Sequence, residues 1–261
     1  MSTSRAARIG SLTLCATIAV AAPQAGQGIP VRHPEGLVHG FLTLSTLHGT
    51  RLADGDLTQH QQGDRVTSQL SFRFKDGSRH DETAVYSQRQ QFRLITYQLR
   101  QRGPTFPRSL DMSLDAASGR VTTRYTEDGR EKTDAETLEL PADLANGMVS
   151  TLLKNVRPEA PPASLSYVAS TPDPRLVRLE IHVAGVRNFT TGGTTRKATH
   201  FVLKVKIGGF AGLVAPIVGK DPPDVHVWIL AGDAPAFVRA EQPLYTGGPV
   251  WRIELTSPMW K

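Results

Sequence analysis

Cysteine is nearly absent from this chain of 261 residues, whose only cysteine is Cys15. Cys15 lies in a segment that we expect to be removed, so the mature chain would hold neither a disulfide nor a thiol nucleophile. The sequence also contains no G-x-S-x-G, no H-E-x-x-H and no phosphate-binding glycine loop. We therefore predict no catalytic residue, no cofactor and no metal site.

Long apolar runs and basic blocks are missing as well. No apolar stretch reaches the ~20 residues that a membrane-spanning helix needs. The formal net charge is +6, and removing Arg5 and Arg8 would lower it to +4. That excess is spread along the chain rather than gathered on one segment, so we do not expect nucleic acid as a partner.

The N-terminal residues have the three parts of a secretory signal. Arg5 and Arg8 form a basic start, residues 9–20 are apolar, and Ala19-Val20-Ala21 matches an A-x-A cleavage site. We expect residues 1–21 to be a signal peptide, residues 22–35 to be a flexible N-terminal segment, and the mature protein to be periplasmic or secreted.

From Gly36 to Leu140 the chain repeats short runs of alternating apolar and polar residues, separated by turn dipeptides. The turns are Asp76-Gly77, Ser118-Gly119 and Asp128-Gly129, which suit hairpins. This pattern predicts about eight antiparallel strands. Six more strands are predicted in "SLSYVAS", "RLVRLEIHV", "THFVLKVKI", "DVHVWIL", "AFVRAEQ" and "VWRIEL".

One segment follows a helical period instead. Leu144, Met148 and Leu152 recur every four residues within "LPADLANGMVSTLLKNVRPEAPP", which predicts an amphipathic helix over about 142–155. The fold class predicted is mainly β: a large, strongly curved antiparallel sheet or open barrel packed around this helix. Residues 36–261 would form a single β-rich domain, with residues 157–162 as the only plausible seam.

Four stretches carry a resemblance to a known group: "LELPADLANGMVSTLLKN", "KATHFVLKVKIGG", "VAPIVGKDPPDVHVWIL" and "PLYTGGPVWRIEL". With them the chain resembles a family of secreted bacterial proteins defined by a domain of unknown function, similar in outline to periplasmic domains built from a long curved sheet and one helix. The resemblance implies a fold and a compartment, and it implies no catalytic residues. More distantly, the outline resembles the lipoprotein-carrier class.

The segment from Gly208 to Gly219 is rich in glycine and aliphatic residues where a tight turn would suffice. Loops of this length are usually functional or disordered, and this one is too apolar for compositional disorder. Its apolar residues, among them Phe210, Leu213 and Ile217, are consistent with three roles: a flap over the mouth of the sheet, a contact patch for a membrane or partner, or a plug in the core.

Four further residues are candidates for ligand binding: His226, Trp228, Arg239 and Glu241. Asp224, His226 and Trp228 share one face of a predicted strand, where the tryptophan is either partly exposed for binding or covered because both faces are buried. Arg239 and Glu241 could hold a polar ligand or form exposed cross-strand ion pairs.

The function predicted from these features is a periplasmic or secreted binding or carrier protein for an apolar or amphipathic ligand. Its expected partners are a lipid-like or other apolar small molecule, an envelope protein or a membrane surface. The alternatives are an envelope hydrolase or lyase using a carboxylate and histidine pair, such as Asp224 and His226, and a non-catalytic envelope assembly factor.

Overall fold

Alternating apolar and polar side chains organise nearly the whole chain into β-strands. The computed structural model describes residues 26, 28–162, 164–191, 194–207 and 222–256. Within them lies one open antiparallel sheet of 14 strands in the order β8-β7-β6-β5-β4-β3-β2-β1-β14-β13-β12-β11-β10-β9, together with one short helix. The predicted fold class, a mainly β protein with a large curved antiparallel sheet, is confirmed.

The first half of the chain is a simple meander, as the alternation predicts. At the β7–β8 turn Asp128 and Gly129 both have positive φ, 51° and 72°, the conformation that a two-residue hairpin requires. The eight strands are β1 Val38–Thr46, β2 Arg51–Gln62, β3 Arg65–Phe74, β4 Arg79–Gln88, β5 Phe92–Arg102, β6 Leu110–Asp115, β7 Arg120–Glu127 and β8 Arg130–Thr137.

The second meander starts at the opposite edge of the sheet and returns to its centre. There β14 pairs with β1, from Phe41 opposite Thr256 to Thr46 opposite Trp251, so the two meanders form one continuous sheet. The predicted seam at 157–162 lies between α1 and β9 and stays a prediction. The six strands are β9 Ser164–Ala169, β10 Arg175–Thr191, β11 Thr194–Lys206, β12 Val225–Leu230, β13 Ala236–Gln242 and β14 Trp251–Thr256.

The connection from β8 to β9 therefore crosses from one edge of the sheet to the other, and it carries the helix. The helix α1 covers only Val149–Asn155, so the prediction of a helix from residue 142 is wrong at its N-terminal side. Residues 143–146 pair instead with β9: Ala145 N–H donates to the Ser166 carbonyl over 2.9 Å, and Leu144 forms a parallel bridge with Ser166.

Burial of the predicted stripe does not depend on this difference, because Leu144, Met148 and Leu152 are all buried. Gly147 explains the late start of the helix. Its φ is +67°, and a Cβ there would lie 2.7 Å from the Ala84 Cβ and 3.1 Å from the Tyr97 ring. The crossover thus presses its backbone against β4 and β5, which a regular helix with side chains could not do.

The segment before β1 holds the end of the helix. The Asn155 Oδ1 accepts hydrogen bonds from the backbone N–H groups of Arg32 and His33, at 2.8 and 2.7 Å. Glu35 is buried and forms an ion pair with Lys154. Its backbone N–H donates to Gln88 Oε1 over 2.7 Å, and its carbonyl accepts from Gln88 Nε2 over 2.8 Å. The part of the predicted flexible segment that the structure describes is thus packed against α1 and β4.

Candidate ligand-binding cavity

The concave face of the sheet encloses a cavity of about 960 Å³. This volume lies within the usual range for sites that bind small molecules. Its walls are mostly aliphatic and aromatic side chains of both meanders, together with the start of α1, for example Leu57, Leu99, Val149, Leu179, Val225 and Phe237. An apolar body of this size could be shielded from water there.

Strand alternation explains why the walls are apolar. Along β12, Val225 and Val227 line the cavity, while the residues between them face the other side. The sheet curves enough that residues far apart in strand order meet across the cavity. The Gln101 amide of β5, for instance, donates to the Leu244 carbonyl, between β13 and β14, over 2.7 Å.

One wall of the cavity carries a carboxylate, Glu82 on β4. Its Oε1 lies 2.7 Å from the Nε2 of His80, which is itself almost fully buried. The Gln101 amide nitrogen lies 3.0 Å from the Nδ1 of His80. Because that amide nitrogen also donates to a carbonyl, its orientation is fixed, and Nδ1 has to be an acceptor. These contacts fit the tautomer in which Nδ1 of His80 accepts from Gln101 and Nε2 donates to Glu82.

Two phenols complete this polar wall. Tyr97 of β5 and Tyr167 of β9 both line the cavity beside Glu82. Burial raises the pKa of Tyr97 well above its ordinary value, and the charge of Glu82 raises it further. Burial and the same carboxylate raise the pKa of Tyr167, while contacts with Tyr97 and Ser170 act in the opposite direction. Both phenols stay protonated at neutral pH and can donate hydrogen bonds.

The four candidate residues that the structure describes lie on the convex face. Arg239 Nε donates to Glu254 Oε1 over 2.8 Å, and Arg252 Nε donates to Glu241 Oε1 over 2.9 Å. These are cross-strand ion pairs, as in the second interpretation of Arg239 and Glu241, but their side chains are partly buried rather than exposed. A ligand inside the cavity would touch neither residue.

His226 and Trp228 belong to a small cluster on the same convex face. The His226 Nδ1 lies 2.9 Å from the His200 Nε2, and the His200 ring stacks on Trp228 with centroids 4.3 Å apart. Trp228 is buried under Phe189 from the long β10–β11 hairpin, so it is covered rather than exposed. Ligand binding by these four residues stays a prediction, for a site outside the cavity.

The other candidates, Phe210, Leu213 and Ile217, lie outside the described residues, as does the signal peptide. The segment that contains the three is bounded by Ile207 and Pro222, and both of these line the cavity. Their role as flap, patch or plug stays a prediction.

The residues that sequence reasoning missed are Glu82, Tyr97 and Tyr167. A signal for Glu82 was present, since it shares its strand face with Ala84 and Tyr86, both buried. A carboxylate between apolar neighbours on an inward face is unusual. The tyrosines carried no such signal, because tyrosine is common in strands and the alternation does not tell which strands meet across a cavity.

The chain matches no protein-family model and no curated protein. Among the described residues, no helix combines the length and apolar character needed to cross a membrane.

Proposed function

We propose that this protein binds or carries an apolar or amphipathic small molecule, held in the concave cavity. The observation that supports this most is the cavity itself: about 960 Å³ lined mainly by apolar side chains on the inner face of an open sheet. Burial of apolar ligand surface is favourable by roughly 25 cal/mol per Å², so such a lining favours lipid-like ligands over polar ones.

The proposal includes export to the periplasm or the exterior, as for the secreted family that the sequence resembles. Its support is the basic, apolar and A-x-A order of residues 1–21. N-terminal sequencing of the protein from its host tests this part, and an intact Met1 in a cytoplasmic fraction would contradict it.

Binding in the cavity can be tested with Nile red, a neutral dye that fluoresces in apolar surroundings. Ala169 lines the cavity from β9, so Ala169→Phe should fill part of it and lower dye affinity about tenfold or more while the protein stays folded. Ala135→Phe is the matched control, because Ala135 is exposed on the edge strand β8.

If Ala169→Phe does not fold, Val225→Phe on the same cavity wall takes its place. Equal dye affinity in the wild type, the cavity variant and the control would show that the dye binds elsewhere and would contradict the proposal.

One observation supports the alternative function, an envelope hydrolase or lyase: Glu82 Oε1 lies 2.7 Å from His80 Nε2. Only Glu82 of this pair lines the cavity, whereas acid–base chemistry generally needs two groups that converge on the substrate. Mass spectrometry of molecules that co-purify separates the two functions: a carrier returns its ligand unchanged, whereas an enzyme accumulates substrate only when Glu82 is replaced by Gln.

A further inference from the structure

Among the described residues, the cavity contains a carboxylate that has no lysine or arginine as a partner. Its charged lining residues are Glu82, Asp173 and Arg175. Arg175 is paired with Asp173, with Nε to Oδ2 at 2.9 Å, and both are about half exposed. Within the described part of the chain, no lysine or arginine forms an ion pair with Glu82, whose side chain is only 19% exposed.

The described partners of the Glu82 carboxylate are an imidazole and a phenol rather than a lysine or an arginine. A carboxylate has about four acceptor positions. The described contacts of Glu82 use two of them, one for the His80 Nε2–H and one for the Tyr97 hydroxyl. Both are neutral donors. The Gln101 amide nitrogen already donates to Nδ1 of His80, so the described hydrogen bonds leave no position for a second N–H on this ring.

The surroundings also fix the position of the carboxylate. The His80 ring lies between Phe72 and Phe106, with ring centroids at 6.1 and 6.3 Å. The Gln101 amide then ties His80 to the Leu244 carbonyl. Glu82 is thereby held from behind by a packed, neutral chain of hydrogen bonds, and it presents its charge to an otherwise apolar space.

A partly buried charge is costly unless a partner compensates it. We propose that the partner is the ligand: an amphiphile with an ammonium group, whose N–H donors bind Glu82 while its apolar body fills the rest of the cavity. The hydroxyls of Tyr97 and Tyr167 then flank the head group. This inference rests on the proposed function and specifies its ligand class.

The test compares three ligands that share one alkyl chain: dodecylamine, dodecanol and dodecanoate. The affinity of each ligand is measured by its displacement of Nile red from the protein at neutral pH, where the amine is protonated. We expect the wild type to bind dodecylamine about ten- to a hundredfold more tightly than dodecanol, since hydrogen bonds to charged groups contribute that much, and to bind dodecanoate most weakly.

Glu82→Gln should remove the preference, so that dodecylamine binds no more tightly than dodecanol. Glu136→Gln is the matched control, because Glu136 is exposed on β8, and it should behave as the wild type. Thermal unfolding of both variants checks that they are folded.

The outcomes separate the two proposals. If Nile red and dodecanol bind but the wild type shows no preference for the amine, or if Glu82→Gln weakens the alcohol as much as the amine, the ammonium inference is overturned and the cavity proposal stands. If none of the four probes binds the folded wild type, both are overturned.

Discussion

At the scale of single residues, three tyrosines are distinctive because their surroundings make the phenol harder to ionise. Tyr86 and Tyr97 are buried, and Tyr167 is partly buried. Burial raises the pKa of Tyr86, Tyr97 and Tyr167 above the ordinary value of 10.0, and in each case it is the largest cause. A phenol whose pKa is raised by folding binds its proton more tightly in the folded state than in the unfolded one. Its contribution to stability is therefore complete below pH 10 and is lost as the pH rises toward the folded-state pKa.

Tyr97→Phe tests this linkage. Above pH 10 the free energy of unfolding of the wild type should fall about 1.4 kcal/mol per pH unit more steeply than that of the variant, because Tyr97 then ionises only in the unfolded chain. Urea unfolding on both sides of pH 10 measures the difference. A gap between the two proteins that does not change with pH would mean that Tyr97 titrates normally in the fold.

At the scale of elements, the crossover from β8 to β9 shows that residues with helical spacing can be buried either in a helix or in a segment that pairs with a strand. Leu144, Met148 and Leu152 have helical spacing, yet only the last of them lies in α1. The free edge of β9 needs backbone partners, and the crossover supplies them. The Asn146 side chain imitates a strand residue: its Nδ2 donates to the Val168 carbonyl and its Oδ1 accepts from the Val168 N–H, both over 2.9 Å.

Asn146→Ala should therefore be costly even though it removes only a small polar group. It would leave the buried N–H and C=O of Val168 without partners, which costs about 1–3 kcal/mol each. We expect a loss of about 2–5 kcal/mol in denaturant unfolding. Asn188→Ala, on the exposed part of β10, is the matched control and should change stability by less than about 0.5 kcal/mol. Equal effects would show that the edge of β9 does not depend on this amide.

The same elements show how far the sequence predicts the structure. The eight strands of the first meander follow from alternation and from turns such as Asp128-Gly129, because both signals are local. The polar wall does not follow, since Glu82, Tyr97 and Tyr167 come from β4, β5 and β9, and only the curvature of the whole sheet brings β9 to the other two. The helix start at Val149 could not be predicted for the same reason. The residues before it pair with β9, and this pairing depends on a strand outside the helical segment.

At the scale of the whole molecule, the order of the strands makes the two meanders parts of one sheet. The chain begins in the middle with β1, runs outward to β8, crosses to the far edge at β9 and returns to the middle with β14. The aromatic core also crosses the line between the meanders, where Phe74 of β3 contacts Trp251 of β14 with ring centroids 5.7 Å apart. Neither meander can bury its inner face alone, so we expect the two to unfold together.

Met112→Ala distinguishes one cooperative unit from two. Met112 is buried in β6, far along the sheet from β14, and its truncation should cost about 2–5 kcal/mol. Tryptophan fluorescence reports on the second meander, because Trp228, Trp251 and Trp260 all lie after residue 222, whereas far-ultraviolet circular dichroism reports on all strands. In a single unit the substitution lowers the denaturant midpoint equally by both measurements. If the fluorescence midpoint keeps its wild-type value while the dichroism transition splits, the chain divides near residues 157–162, and the cavity lies between two bodies that fold independently.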